Sequence, residues 1–390
     1  MKKVCVVTGT RAEYGLLKPV IDKIYTNENL ELQLLVTGMH LAPEFGLTYK
    51  EIEQDNYPIA GKVEMLLSSD TPVGVTKSMG VALISFADYF SVSKPGIVII
   101  LGDRYESFMA ALAAMIARIP IAHIHGGELT EGAIDEAIRH SITKMSQLHF
   151  TSTEGYRNRV IQLGEQPDMV YNVGALGVEN AKTVKLLRKE SLETALEFHF
   201  TEPTIMVTYH PVTLESLTAG KQFRNILDVI DKHKEISVIF TKANADTDGR
   251  VINEMINDYV AGNGKRCRGY VSLGQLRYLS ALQFCTAVVG NSSSGVIEVP
   301  SFGIPTVNIG DRQKGRICAD SVINCGNSIN DIESALSRAL SSDFRDKAKG
   351  VKNPYEGEHT SDKIVEVIQQ ALDRGIQMKK AFFDFNLVKT

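Results

Sequence analysis

The feature that most constrains this chain is an alternation that occurs twice. Short, unbroken apolar runs alternate with longer stretches of helical period. In the first half the runs are Val4–Val7, Leu32–Val36, Ile97–Leu101, Ile121–Ile124, Leu148–Phe150 and Val170–Val173. In the second half they are Thr204–Val207, Val238–Thr241, Ala287–Val289 and Thr306–Ile309. A strand open to water on one face alternates apolar and polar residues, whereas a strand covered on both faces reads as a continuous apolar run. Stretches such as Glu106–Arg118, Ile134–Ser146, Leu276–Cys285 and Val296–Phe302 have the spacing of the covering helices. The pattern predicts an α/β chain with two parallel sheets, each sandwiched by helices. The joint is expected near Gly174–Glu179, giving one domain over 1–176 and a second over 177–361. A last helix over Asp362–Ala371 precedes a basic and aromatic tail.

At roughly 100–200 residues per domain, a chain of 390 residues suits two such units. The formal net charge of −4 leaves no electrostatic footprint for nucleic acid. Basic residues in the motifs below therefore need a local reason. No stretch approaches the roughly 20 apolar residues of a membrane span. The apolar run at Val4–Val7 is too short for a secretory leader, so a cytoplasmic location is expected. The five cysteines are odd in number and form no Cys-x-x-Cys, which points to free thiols rather than disulfides or a zinc ribbon.

Open α/β sheets bind ligands beyond the carboxyl ends of their strands, and the polar clusters fall there. Thr8-Gly9-Thr10-Arg11-Ala12-Glu13-Tyr14-Gly15 follows the first run, where a glycine turn into a helix offers free N–H groups and Arg11 a fork for phosphate. Asp103, in Gly102-Asp103-Arg104-Tyr105-Glu106, either faces a cleft or caps the next helix. In His123-Ile124-His125-Gly126-Gly127-Glu128 the two histidines are two apart and are expected on one face of a strand. Such a pair can supply two metal ligands, but no third and fourth appear at characteristic spacing. In Asp135-Glu136-Ala137-Ile138-Arg139-His140, helical spacing pairs Asp135 with Arg139 and Glu136 with His140.

The second half repeats the placement. His210-Pro211, Lys242-Ala243-Asn244 and Gly290-Asn291-Ser292-Ser293-Ser294-Gly295 follow successive runs. The last combines hydroxyls with backbone N–H groups at a helix start, which is phosphate-cradle chemistry. Glu298 lies one turn on, where a carboxylate can accept from a ribose diol. Arg312 and Arg316 follow the fourth run in Gly310-Asp311-Arg312-Gln313-Lys314-Gly315-Arg316.

With these motifs the chain resembles the hydrolysing UDP-N-acetylglucosamine 2-epimerases, in particular those of bacterial sialic acid and legionaminic acid synthesis, over nearly its whole length. The resemblance implies two Rossmann-like domains facing a cleft, as in glycosyltransferase-B enzymes, with the final helix, about 362–380, packing back on the first domain. It implies UDP contacts from Arg11, Arg104, His210, Asn244, Ser292, Ser293, Glu298 and Arg312, and catalytic carboxylates at Asp103 and Asp135. Some relatives carry Glu where this chain has His125, so His125 and Glu128 are both candidates for that role. No metal and no cofactor is implied, and the assembly would be a homodimer or homotetramer.

The chemistry follows from the sugar. Its C2 hydrogen is not next to a carbonyl, so UDP must leave before or with that proton. Arginines and the serine-rich turn would stabilise charge growing on the diphosphate, while a carboxylate faces the oxocarbenium-like ring. Anti-elimination gives a 2-acetamidoglucal; water then adds at C1 and a proton returns to C2 from the other face, yielding N-acetylmannosamine and UDP. UDP-N,N′-diacetylbacillosamine is the alternative substrate. A retaining glycosyltransferase, a metal-dependent hydrolase built on His123 and His125, and a non-catalytic nucleotide-sugar sensor are the readings from other classes.

Overall fold

A computed structural model describes residues 1–67, 69, 71–131, 133–212, 218–243 and 249–385. Thirteen parallel strands appear among them. They are β1 (Lys2–Thr8), β2 (Leu30–Thr37), β3 (Ile59–Val63), β4 (Ile97–Leu101), β5 (Ile121–Ile124), β6 (Leu148–Thr151), β7 (Val170–Asn172), β8 (Thr204–Thr208), β9 (Ser237–Thr241), β10 (Cys267–Tyr270), β11 (Ala287–Gly290), β12 (Thr306–Ile309) and β13 (Val322–Cys325). One sheet has the order β3-β2-β1-β4-β5-β6-β7 and the other β10-β9-β8-β11-β12-β13.

All ten apolar runs are strands. The three strands that the pattern does not reveal, β3, β10 and β13, each end a sheet. Their sequences, Ile-Ala-Gly-Lys-Val, Cys-Arg-Gly-Tyr and Val-Ile-Asn-Cys, are interrupted by polar residues because an edge strand is only half covered. Interior strands contribute to both sheet faces: Val4 and Val6 join one core cluster, Cys5 and Val7 the other. Ile205 and Val207 are likewise separated from Met206.

Each sheet reverses its strand order once, between β1 and β4 and between β8 and β11. Adjacent crossovers depart to opposite sides at such a point and leave a crevice beyond the strand ends. The segments 9–11 and 102–104 meet at the first crevice; 209–212 and 291–293 meet at the second. The last helix, Thr360–Arg374, buries Ile364, Val365 and Ile368 in the core of the first sheet. Among the described residues no helix is long and apolar enough to cross a membrane.

Candidate active site

The wall built on the second sheet starts from a backbone requirement. Gly290 ends β11 at φ 138°, and a Cβ there would lie 1.9 Å from the carbonyl oxygen of Thr208 on β8. Only glycine allows the two switch-point strands to come this close. The next residue fastens them. Asn291 Oδ1 accepts from the His210 backbone N–H at 2.7 Å, and Asn291 Nδ2 donates to His210 O at 2.8 Å. The Asn291 carbonyl accepts from Arg312 at 3.1 Å and from Gln313 at 2.8 Å. One buried asparagine thus sets both the His210 turn and the Arg312 loop.

Around it, His210, Ser292, Ser293, Glu298, Arg312 and, from the first sheet's side, Arg11 line one cavity of about 270 Å³. Lys242, at the end of β9, lines it too; Asn244 lies outside the described residues. The helix opened by the serines is short, Ser293–Ile297, so Glu298 stands at its end. Its carboxylate presses on Gly177, where a Cβ would be 2.0 Å from Oε1. Burial raises the Glu298 pKa, and its Oε2 has no hydrogen-bond partner among the described residues. An unsatisfied buried acceptor in a ligand cavity is suited to a hydroxyl donor.

Arg11 sits in this wall, but its fork is not free for phosphate. Its Nε is 2.6 Å from Glu51 Oε2, and NH1 donates to Ser272 O at 3.2 Å, across to the second sheet. The helix it begins, Arg11–Tyr25, is capped by Thr10, whose side chain accepts from Glu13 N. Glu13 in turn accepts from Gly9 N at 2.6 Å and from Ser107 at 3.2 Å. Burial, then the neighbouring Glu106, raises the Glu13 pKa to about 7. Glu106, also buried, holds Arg104 Nε at 2.6 Å.

The other wall carries the candidate carboxylates. Asp103 follows β4 through Gly102, whose carbonyl accepts from His123 Nε2 at 2.7 Å. A carbonyl only accepts, so His123 carries its proton on Nε2 and takes the Thr143 hydroxyl on Nδ1 at 3.1 Å. Burial lowers its pKa to about 3, which keeps it neutral. His123 is therefore a fastener of the Asp103 turn. The expectation that His123 and His125 share a strand face is overturned: β5 stops at Ile124, and His125 leaves it at φ 66°. Among the described residues no three His, Cys, Asp or Glu side chains are grouped to hold a metal ion.

Asp135 is the first residue of the helix Asp135–Met145. Glu136 and His140 pair at 3.1 Å, as their spacing predicts. The expected Asp135–Arg139 pair gives way to a different one, because Arg139, fully buried, reaches Asp103 instead. Glu128 is also committed. Its Oε1 accepts from Ser152 at 2.7 Å and lies 3.5 Å from His125 Nδ1; its Oε2 is 3.0 Å from Arg316 of the second sheet's loop. Burial opposes the charge on Arg316, but Glu128 together with Tyr355, Tyr156 and Glu298 outweighs it and the net pKa shift is upward. Arg316 also donates to Leu129 O at 2.9 Å. This interdomain pair, and the roles of Asn291 and Arg139, were missed from sequence. Their motifs had been singled out, but no spacing rule links partners 36 or 188 residues apart.

These strand-end motifs, assembled on two facing sheets, match a known family over most of their length. Residues 22–369 fit the family model described as UDP-N-acetylglucosamine 2-epimerase. The chain belongs to that family. Among curated relatives it is 42% identical over 383 residues to a GDP/UDP-N,N′-diacetylbacillosamine 2-epimerase (hydrolyzing) of Campylobacter jejuni, covering 98% of this chain and 99% of that protein. It is 39% identical to the polysialic acid biosynthesis protein P7 of Escherichia coli, covering 98% of each. The UDP-GlcNAc 2-epimerase of Neisseria meningitidis, solved bound to UDP-GlcNAc, superposes with a TM-score of 0.78 at 20% identity, covering 94% of this chain and all of that one. At that identity the likeness speaks for the glycosyltransferase-B-like fold.

Proposed function

We propose that this epimerase-family chain breaks the sugar–UDP bond of a UDP-linked 2-acetamido sugar and inverts C2. UDP-N-acetylglucosamine would give N-acetylmannosamine and UDP. The observation that carries the proposal is the Glu128–Arg316 pair. It joins the loop that bears Arg312, which lines the cavity, to the segment between β5 and the Asp135 helix, and this supports reading the two as parts of one site. UDP would lie in the cavity with its diphosphate toward Ser292, Ser293 and Arg312, its ribose toward Glu298, and its base toward Arg11 and the Ser272 loop. His210 and Arg104 would complete the charge stabilisation. Asp103 and Asp135 would exchange protons with C2, with His125 at hand as a neutral base: burial, against the opposing pull of Glu128, lowers its pKa.

A second substrate, UDP-N,N′-diacetylbacillosamine, is favoured by the 42% identical relative. The two differ at C4 and C6 only, so the chemistry is common. The exposed Val73 and Ile84 on the helix Pro72–Ser93, with the exposed Ile116 on the helix Tyr105–Ile116 that packs against it, support a homodimer or homotetramer. The site would work in the cytoplasm and without a metal.

The test is incubation with each UDP sugar alone, in D₂O and in ¹⁸O water. The expected product carries deuterium at C2 and ¹⁸O in the C1 hydroxyl, and turnover survives EDTA. Hydrogen retained at C2, or ¹⁸O in the UDP phosphate, would point instead to plain hydrolysis or attack at phosphorus. The sugar turned over faster is the substrate.

A further inference from the structure

We infer that Arg139 is the positioning residue that sets Asp103 for proton transfer and fixes its spacing from Asp135; the inference rests on the function proposed above. Arg139 is 1% exposed, and it donates to Asp103 Oδ2 from the helix Asp135–Met145. Asp135 opens that helix, one turn before Arg139 on the same face. Both candidate carboxylates are therefore registered to a single rigid rod, one covalently and one through a guanidinium. The Asp103 side chain stays one-fifth exposed, whereas Arg139 beneath it is buried.

The guanidinium is not otherwise used up. Arg139 Nε and NH1 are buried and without hydrogen-bond partners among the described residues. Burial first, and then Arg316 and Arg312 of the facing loop, push its pKa down from the ordinary guanidinium value. A guanidinium donating to a carboxylate favours the ionised form of that carboxylate, and Arg139 does so to Asp103. An ionised group can accept a proton but cannot supply one. Asp103 is thereby assigned to the elimination step: the C2–H bond breaks, its electron pair forms the C1–C2 double bond, the C1–O pair departs on UDP, and the proton goes to Asp103. The proton that returns to C2 from the other face then comes from a different group, and Asp135 on the same rod is the candidate.

The experiment uses the full-length enzyme with its preferred UDP sugar. R139Q is expected to lose at least 100-fold in kcat while KM and the UDP dissociation constant change less than threefold. R139K, which keeps a cation without the fork, is expected to recover at least tenfold of that loss. D103N and D103N/R139Q should be equally slow, because Arg139 acts through Asp103. Thermal unfolding is recorded for each variant; if R139Q loses its fold, the comparison of R139K with wild type carries the kcat-against-KM split alone. Wild-type kcat in R139Q, or in R139K should that variant stand alone, would overturn the inference, as would a UDP affinity that falls in step with kcat. If D103N itself turns over normally, it is the proposed function of Asp103 that fails, and that outcome is separable from the others.

Discussion

The two walls of the cleft are built by opposite means. On the second sheet, hydroxyls, a histidine, an arginine and a carboxylate with one unpaired oxygen face a cavity, and the His210 turn and the Arg312 loop are held through the neutral amide of Asn291. On the first sheet, nearly every candidate group is bound into a buried ion pair: Asp103 with Arg139, Glu106 with Arg104, Glu128 with Arg316. The contrast suits the proposed division of labour. A binding wall must leave acceptors and donors open for a ligand, whereas a wall that moves protons must hold charges at fixed distances in low dielectric, where an unpaired charge would be expensive.

The comparison breaks most visibly at the carboxylates. Asp103→Asn and Asp135→Asn should each lower kcat by roughly 10²–10⁴-fold, the usual worth of a positioned acid–base group, yet bind UDP normally by calorimetry. Loss of UDP binding in both would mean that the carboxylates themselves hold the nucleotide rather than move protons. Next in size is the Glu128–Arg316 pair. Both side chains are at most 4% exposed, and removing one partner of a buried pair typically costs about 3–5 kcal/mol. Glu128→Gln should lower the unfolding free energy by that order, and Glu128→Gln with Arg316→Met should restore part of it. An unchanged denaturant midpoint in the single variant would show that the latch carries no stability.

Glu13 gives the pH counterpart. Its carboxyl titrates at about 7 in the fold against 4.5 ordinarily, through burial and then Glu106. The native state thus binds a proton that the unfolded chain has released between these values, and stability falls as pH rises through that window. The effect is on the order of 3 kcal/mol. Glu13→Gln should flatten the slope between pH 5 and 8 and be the more stable protein at pH 8. A wild-type slope in the variant would assign the titration elsewhere.

What the sequence made legible follows the same division. Fold class and interior strands were readable because both sheet faces are covered and the runs are unbroken; the edges β3, β10 and β13 were not, because half-covered strands lose that signature. The second wall was readable as a placement, since Ser292, Ser293, Glu298 and Arg312 line one cavity from the strand ends where the chain puts them. The first wall was readable only as a roster. Arg139 spurns its helical neighbour for Asp103, and Glu128 finds Arg316 across the cleft, because burial selects partners by depth rather than by spacing. His125 escaped the strand geometry through a positive φ that no local residue preference signals. Such a conformation costs of order 1–3 kcal/mol and is kept where the surroundings fix it, which is common at functional sites.

The smallest effects should come from the binding wall, and they test whether it is as modular as its neutral bonds suggest. Arg312 reaches the cavity while NH1 rests on the Asn291 carbonyl, and Ser293 reaches it from the start of a short helix. Neither is a keystone of the core. Arg312→Ala and Ser293→Ala should therefore keep the wild-type unfolding temperature and weaken UDP binding only. A charge-assisted hydrogen bond contributes roughly 1.5–3 kcal/mol and a neutral one about 1, so Arg312→Ala should raise the UDP dissociation constant by about 10- to 150-fold and Ser293→Ala by about fivefold. Because both contacts fall on the diphosphate, the double variant's departure from the product of the two factors measures their coupling. Asn291→Ala would behave differently, losing UDP affinity and stability together, since it releases both the His210 turn and the Arg312 loop. If Arg312→Ala proves as destabilising as Asn291→Ala, the second wall is a charged scaffold like the first, and the contrast between them does not hold.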